Sequence, residues 1–402
     1  MRKGKFLWLR VFVFVIIVAI TATAFTWRAK IEDFVNITIL GNSRPAGVVS
    51  FDGGLTVHFI DVGQGDAAVV EFPGGEIMLI DAGRWNFTQN KFRSYLSTYI
   101  FPNNAPWRFD WIIATHSHAD HIGDMAFILN RTGTRVNNII RPLVFTRAES
   151  DSGIPFLQFG LTNYTVHTAS GQFGSPATLH HFATAMQSAL AFDGSSTNVQ
   201  LPMRGLTFNV GSGSQQALVT FYSPTQSSYG SGSINRYSTI FCIYFNGRRL
   251  MFTGDAYEVN EYRALDLMTG PALPTNVDVL DVGHHGSDTS SSARFINHVR
   301  PKYAIIQVGT TQTGNTYNHP DQVVLSRLTN VGATILQTRE EGNILVRISA
   351  DGNAIEVGGI MHYDPWFEYW MLALVVILLS LILLFSVDLI ALARRKEEAA
   401  SR

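Results

Sequence analysis

The residues best equipped for chemistry in this chain are His116-Ser117-His118-Ala119-Asp120-His121. Three imidazoles and a carboxylate stand together there, directly after the apolar strand pattern DWIIAT. A chain leaving a strand end can aim His116 and His118 at one cation while Asp120 and His121 reach a second beside it. Neutral imidazoles and a carboxylate suit zinc, manganese or iron(II). Other strand patterns end the same way. Thr253-Gly254-Asp255 follows RRLMF, Asp281-Val282-Gly283-His284-His285-Gly286-Ser287 follows VDVL, and Leu79-Ile80 runs into Asp81-Ala82-Gly83. An Asp–Gly turn alone commonly just closes a hairpin. Together these segments place His and Asp at one level of four strands, as if grafted along one sheet edge.

The elements that must hold these groups are short β runs. LTVHFI, AAVVEF and EIMLIDAG open the series from Leu55, and DWIIAT, ALVTFYS, TIFCIYF, RRLMFTG, VDVLDVG, KYAIIQVG, TILQT and NILVRIS continue it. Helical patterns fall at Lys91–Ile100, after His121, near Val259–Met268 and at Asp321–Thr329. Strands alternating with helices, and hairpin-like runs at the start of each half, predict an α/β sandwich. Residues 150–235 are rich in Ser, Thr, Gly and Asn and read as an insertion or long loops over the site. The chain shows no internal repeat.

Apolar residues are concentrated at the two ends. Residues 7–27 and 366–391 are each long enough to span a hydrocarbon core of roughly 30 Å at about 1.5 Å per residue. Arg2, Lys3, Lys5 and Arg10 accompany the first, and Arg394, Arg395 and Lys396 follow the second. The positive-inside tendency then puts residues 1–6 and 392–402 in the cytoplasm and the intervening chain outside it. Ala22-Thr23-Ala24 offers the alternative of a cleaved leader for the first span. Residues 28–54 read as a linker and 55–358 as the functional domain.

Composition narrows the classes. The 402 residues carry a formal net charge of −1, so no polybasic footprint marks a nucleic-acid binder. A single cysteine, Cys242, excludes an internal disulfide framework and a Cys-based zinc ribbon. A metal site here must be built from His and Asp.

The ordered signatures together resemble the metallo-β-lactamase fold superfamily, and within it the extracytoplasmic hydrolase domain of ComEC/Rec2-type competence proteins. The likeness runs from Leu55 to Ile348. It rests on His58-Phe59-Ile60-Asp61-Val62-Gly63-Gln64-Gly65-Asp66, Leu79–Gly83, His116–His121, Thr253–Asp255, His284–Ser287, Asn318-His319-Pro320 and Gly342-Asn343-Ile344. The resemblance implies an αββα sandwich and two divalent ions, zinc or manganese. It implies that His116, His118, Asp120 and His121 are ligands, that Asp255 bridges the ions and that His284 completes the second site. His285 is the alternative ligand or a substrate contact. Asp81 would orient a ligand from behind, and Asp66 reads as a turn former or a similar supporting group. Many members supply a further His before the bridging Asp; here Ile234-Asn235-Arg236-Tyr237-Ser238 stands instead, making Asn235 and Ser238 supporting groups. His167, His180 and His181 lie upstream and read as solvated loop residues. The many-helix channel of the competence proteins has no counterpart in the sequence.

Two ions sharing a water lower its pKa and yield hydroxide at neutral pH, while holding the oxygens of a carbonyl or phosphoryl group. Asp120 would orient the hydroxide. His319 or His285 would stabilise developing charge or protonate the leaving group; a plain turn residue before Pro320 is the other reading of His319. The expected activity is a phosphodiesterase or nuclease acting on DNA or a cell-surface polymer. The alternatives are a phosphorylcholine esterase of teichoic-acid type and a non-catalytic sensor or binding module.

Overall fold

The computed structural model describes residues 51–84, 91–142, 197–225, 233–266 and 271–358, and the backbone of 360–363. The two expected membrane spans, most of the linker, and His167, His180 and His181 lie outside the described residues. Among the described residues no helix is long and apolar enough to cross a membrane. Residues 51–362 form one compact unit.

In chain order the strands are β1 (Leu55–Phe59), β2 (Ala68–Glu71), β3 (Ile77–Ile80), β4 (Arg108–Ile113), β5 (Arg135–Ile140), β6 (Asn198–Gln200), β7 (Thr207–Val210) and β8 (Ala217–Ser223). They continue as β9 (Ile240–Phe245), β10 (Arg248–Phe252), β11 (Val279–Asp281), β12 (Tyr303–Ile306), β13 (Thr334–Gln337), β14 (Ile344–Ile348), β15 (Ala354–Val357) and β16 (Ile360–Tyr363). The helices are α1 (Ala119–Ile122), α2 (Met125–Asn130), α3 (Glu258–Ala264), α4 (Ala293–Val299), α5 (Gln322–Asn330) and α6 (Thr338–Glu341). One sheet runs β16-β15-β14-β1-β2-β3-β4-β5-β6, the other β13-β12-β11-β10-β9-β8-β7.

The expected αββα sandwich is what these strands build, because their side chains alternate between two apolar surroundings. On β9, Phe241, Ile243 and Phe245 enter the core between the sheets. Ile240 and Cys242 point the other way and pack with α3, α4 and α5. On β1, Leu55, Val57 and Phe59 face the core between the sheets, and on the outer face of that sheet Val69, Leu79 and Ile112 pack with Leu96, Ile100, Met125 and Ile128. Strands buried on both faces read as nearly continuous apolar runs, which is why ALVTFYS and TIFCIYF stood out. A column of rings, Phe221–Phe241 at 5.0 Å, Phe241–Phe252 at 5.1 Å and Phe252–Phe59 at 5.8 Å, ties the two sheets together.

Two expectations change. Residues 198–200 and 207–210 are not loops over the site: β6 and β7 are edge strands, one of each sheet. The chemistry-bearing strand ends also lie on two sheets rather than one. β3 and β4 are parallel neighbours in the first. β10, β11 and β12 are parallel neighbours in the second. The site forms where these parallel ends face each other, the crevice position that α/β sheets characteristically offer to ligands.

Candidate metal centre

The His116–His121 segment is held by the strand end before it. Thr115 donates to Asp81 through its backbone N (2.8 Å) and its hydroxyl (2.6 Å). Asp81 itself sits at φ 55°, an unusual conformation for a non-glycine residue and one concentrated at functional sites. His116 lies in the bend after β4, His118 is extended and becomes the residue before α1, and Asp120 and His121 lie on the first helical turn. Ile122 fixes that turn in the apolar layer outside the sheet. Gly65 closes the approach from the β1–β2 loop, since a Cβ there would lie 2.3 Å from the Asp120 carbonyl oxygen.

The second sheet brings Asp255 opposite. Gly254 has φ 48°, and a Cβ there would meet the Thr115 hydroxyl at 2.7 Å, so the two strand ends approach this closely only over glycine. Thr253 ties the turn down by donating from its hydroxyl to the Asp281 carbonyl at 2.8 Å. His284 and His285 both occupy the left-handed region, at φ 52° and 53°, so that consecutive imidazoles diverge around Asp255.

The two oxygens of Asp255 face different groups. Oδ1 lies 3.1 Å from His121 Nε2 and 3.8 Å from His285 Nε2. His285 Nε2 is also 3.5 Å from Asp120 Oδ2. Oδ2 lies 3.4 Å from His116 Nε2, 3.9 Å from His118 Nδ1 and 3.6 Å from His284 Nε2. The tandem histidines divide between the two sides: His285, the alternative ligand of the sequence reading, joins His121 and Asp120, whereas His284 turns toward His116 and His118. Asn235 stands there too, its amide nitrogen 3.2 Å from His284 Nε2. Ser238 is buried, its carbonyl accepts from the Ser223 hydroxyl at 3.2 Å, and its own hydroxyl has no hydrogen-bond partner among the described residues.

The donor chemistry fits cations. His121 Nδ1 is 2.7 Å from Asp81 Oδ2, which fixes the proton on Nδ1 and leaves Nε2 as a lone pair facing Asp255 Oδ1. His285 Nδ1 donates to the Gln307 carbonyl at 2.9 Å, with the same consequence for its Nε2. His121 Nε2, His285 Nε2 and Asp255 Oδ1 are buried without a hydrogen-bond partner. Acceptors that converge with no donor between them repel unless a cation or added protons intervene. Asp66, His121, Asp255 and His285 are close enough to share one ion, and His116, His118 and Asp255 another. Yet Asp66 faces the Nδ1 atoms, at 3.1 Å from His285 and 3.8 Å from His121. These nitrogens carry the protons. Asp66 therefore sits behind the two imidazoles, on their Nδ1 side.

Charge follows the same division. Burial, reinforced by the nearby His121, pushes His116 down to about 3 and keeps it neutral. Burial also lowers His284, against the pull of Asp255. For His121 and His285 burial opposes protonation, but Asp255 and Asp66 outweigh it and raise both well above the ordinary imidazole value. Asp255 and Asp120 are held below the usual carboxylate range: burial opposes ionisation, and the surrounding imidazoles prevail. His121 and His285 thus hold protons that a metal ion would displace.

His319 lies at the rim, its ring 5.8 Å from that of His284. Three supporting residues escaped the sequence reading. Thr115 orients Asp81, Thr289 Oγ1 lies 2.8 Å from His284 Nδ1, and Gln307 connects His285 to the backbone N of Ala67. Gln307 was findable, because it ends the strand pattern KYAIIQVG at the same level as the ligands. The other two are hydroxyls without a distinguishing pattern.

Residues 60–140 match the model of the metallo-β-lactamase superfamily. The chain is 24% identical over 321 residues to ComE operon protein 3 of Bacillus subtilis, covering 77% of this chain and 34% of that protein. It is 32% identical over 118 residues to competence protein ComA of Neisseria gonorrhoeae, covering 29% of this chain and 16% of that protein. With recombination protein 2 of Haemophilus influenzae it shares 29% identity over 133 residues, covering 33% and 16% respectively. The alignments span about a third of the first relative and less of the other two. The likeness is thus to competence-type proteins, as the motif order implied.

Proposed function

We propose that this chain is a membrane-anchored hydrolase that cleaves phosphodiester bonds outside the cytoplasm with two divalent cations, manganese or zinc. The observation that carries the reading is Asp255, whose two oxygens face separate sets of imidazoles. His121, His285 and Asp120 would hold one ion with Oδ1, and His116 and His118 the other with Oδ2. Such a pair would supply an acidified water and polarise a phosphoryl group. Asp120, 28% exposed, would orient the hydroxide by accepting its hydrogen bond. His319, whose ring lies beside that of His284, would donate to the leaving oxygen. Asp81, Asp66 and Gln307 hold His121 and His285 in the tautomer that presents Nε2. Likeness to competence and recombination proteins supports nucleic acid as the substrate class, and the apolar stretches at 7–27 and 366–391 support the anchor.

The test is an activity panel on the purified full-length chain, with Mn²⁺ and Zn²⁺ supplied separately. Cleavage of DNA strands or simple diesters, dependent on added metal, is the expected result. Cleavage confined to phosphorylcholine esters would move the substrate to teichoic-acid decoration, and metal binding without turnover of any ester would make the chain a sensor. Protease added to intact cells should digest the domain at 55–358 while sparing a tag placed after Arg402; a protected domain would refute the outward orientation.

A further inference from the structure

The segment between β12 and α5 closes one side of the crevice and is fixed by its own hydrogen bonds. Asn315 Nδ2 donates to the carbonyls of Gly309 (3.1 Å) and His319 (2.7 Å), while its Oδ1 accepts from the His319 backbone N (3.1 Å). Gln64 anchors the segment from the β1–β2 loop, its side chain accepting from Gly309 N at 3.2 Å and its backbone N donating to the Thr313 carbonyl at 3.1 Å. Arg339 Nη1 donates to the His319 carbonyl at 3.0 Å.

This framework holds Tyr317 out. At 74% exposure it is the most exposed large apolar side chain among the described residues. Its ring lies 5.7 Å from that of His319 and only 16° from parallel. His319 is 5.8 Å from His284, and His284 is 5.6 Å from Tyr257. The rings of Tyr317, His319 and His284 therefore follow one another from solvent to Asp255 Oδ2, with Tyr257 beside His284. An aromatic ring on a backbone already ordered loses little freedom when a ligand settles on it.

We propose that Tyr317 is a stacking platform for a base next to the scissile phosphate, so that the substrate is single-stranded nucleic acid. The proposal rests on the phosphodiesterase reading and narrows it. A single ring face parallel to its neighbour suits a flat ligand, whereas a quaternary ammonium wants several rings around one point. Stacking on tyrosine accepts every base, so binding here would be tolerant of sequence.

A hydrolysis-resistant phosphorothioate oligothymidylate carrying one 2-aminopurine, added to the metal-loaded full-length chain, tests this by fluorescence. The wild type and Tyr317→Phe should bind it and quench the probe. Tyr317→Ala, with unchanged melting temperature and metal content, should lose the quench and bind about tenfold or more weakly. Equal binding and quenching by Tyr317→Ala would overturn the platform. So would phosphorylcholine competing for Tyr317 while the strand is not bound. Failure of the strand to bind a wild type that still cleaves simple diesters would refute the platform alone. Tyr317-dependent quenching without any diester cleavage would refute the hydrolase reading alone.

Discussion

The two sides of Asp255 are built to different standards. On the Oδ1 side, His121 and His285 are wholly buried, and each Nδ1 meets a strong acceptor, Asp81 for one and the Gln307 carbonyl for the other. Asp66 stands behind both. On the Oδ2 side the supports are hydroxyls: Thr115 beside His116 Nδ1 at 3.2 Å and Thr289 beside His284 Nδ1. Thr115 gives its one proton to Asp81 and Asn235 donates to His284 Nε2, so both hydroxyls accept from Nδ1, but as neutral oxygens they raise an imidazole's basicity less than the Asp81 carboxylate does. His118 and His284 are also partly exposed, at 23% and 20% of their side chains. An acceptor that fixes the tautomer both orients a metal-binding imidazole and raises its basicity. The Oδ1 side should bind an ion tightly and the Oδ2 side should hold one loosely.

Asp255→Ala should have the largest effect, because it removes the one group common to both sides. Elemental analysis should find both ions lost and hydrolysis abolished; a variant retaining one full equivalent would show that the sides are independent. Asp120→Asn comes next. An amide both ligates and accepts the hydroxide's hydrogen bond poorly, and a loss of about 3–4 kcal/mol of transition-state stabilisation corresponds to roughly 10²–10³ in kcat. The variant should remain folded and keep the loosely held ion. Asp81→Asn should cost about 10–100-fold in affinity for the tightly held ion, read by competition with a chelating dye. If Asp81→Asn proves the more damaging of the two at normal metal content, the roles of Asp120 and Asp81 are exchanged.

Much of this was legible in the sequence for a simple reason. Strands buried on both faces write themselves as apolar runs, and the candidate ligands sit where those runs stop. Asp255, Asp81 and the His116–His121 segment were found that way. β6 and β7 were missed because Asn198–Gln200 and Thr207–Val210 are short edge strands with exposed positions and no strong alternation. The order of His284 and His285 was illegible because it depends on two successive left-handed residues, which a sequence pattern does not reveal. Thr115 and Thr289 act through geometry alone.

A smaller effect should appear in the pH dependence of stability without metal. His116, His284 and His319 sit below the ordinary imidazole value of 6.5, chiefly through burial, so the unfolded chain takes up protons there that the folded chain refuses, and stability falls as pH drops below 6.5. His121 and His285 sit well above 6.5: burial opposes their charge, but Asp255 and Asp66 sustain it. The stability they contribute is complete below 6.5 and is lost as pH rises through their folded values. Taken alone these histidines make the metal-free protein most stable near pH 6.5, while burial holds Glu261 (up to about 7) and Asp281 above the usual carboxylate range and shifts the melting-temperature maximum to lower pH. Added Mn²⁺ should flatten the alkaline fall, because the ion takes the place of the displaced protons. An alkaline limb that ignores metal would break the link between His121, His285 and ion binding.

The most direct test of an Asp255-bridged pair of unequal sites is a calorimetric titration of the metal-free full-length chain with Mn²⁺. Two ions should bind in resolved steps, the first tight and accompanied by proton release from His121 and His285, the second weaker by at least about tenfold. In His285→Ala the tight step should vanish, and in His116→Ala the weak one. A titration that shows no binding, or a single step that survives both substitutions, would contradict the account.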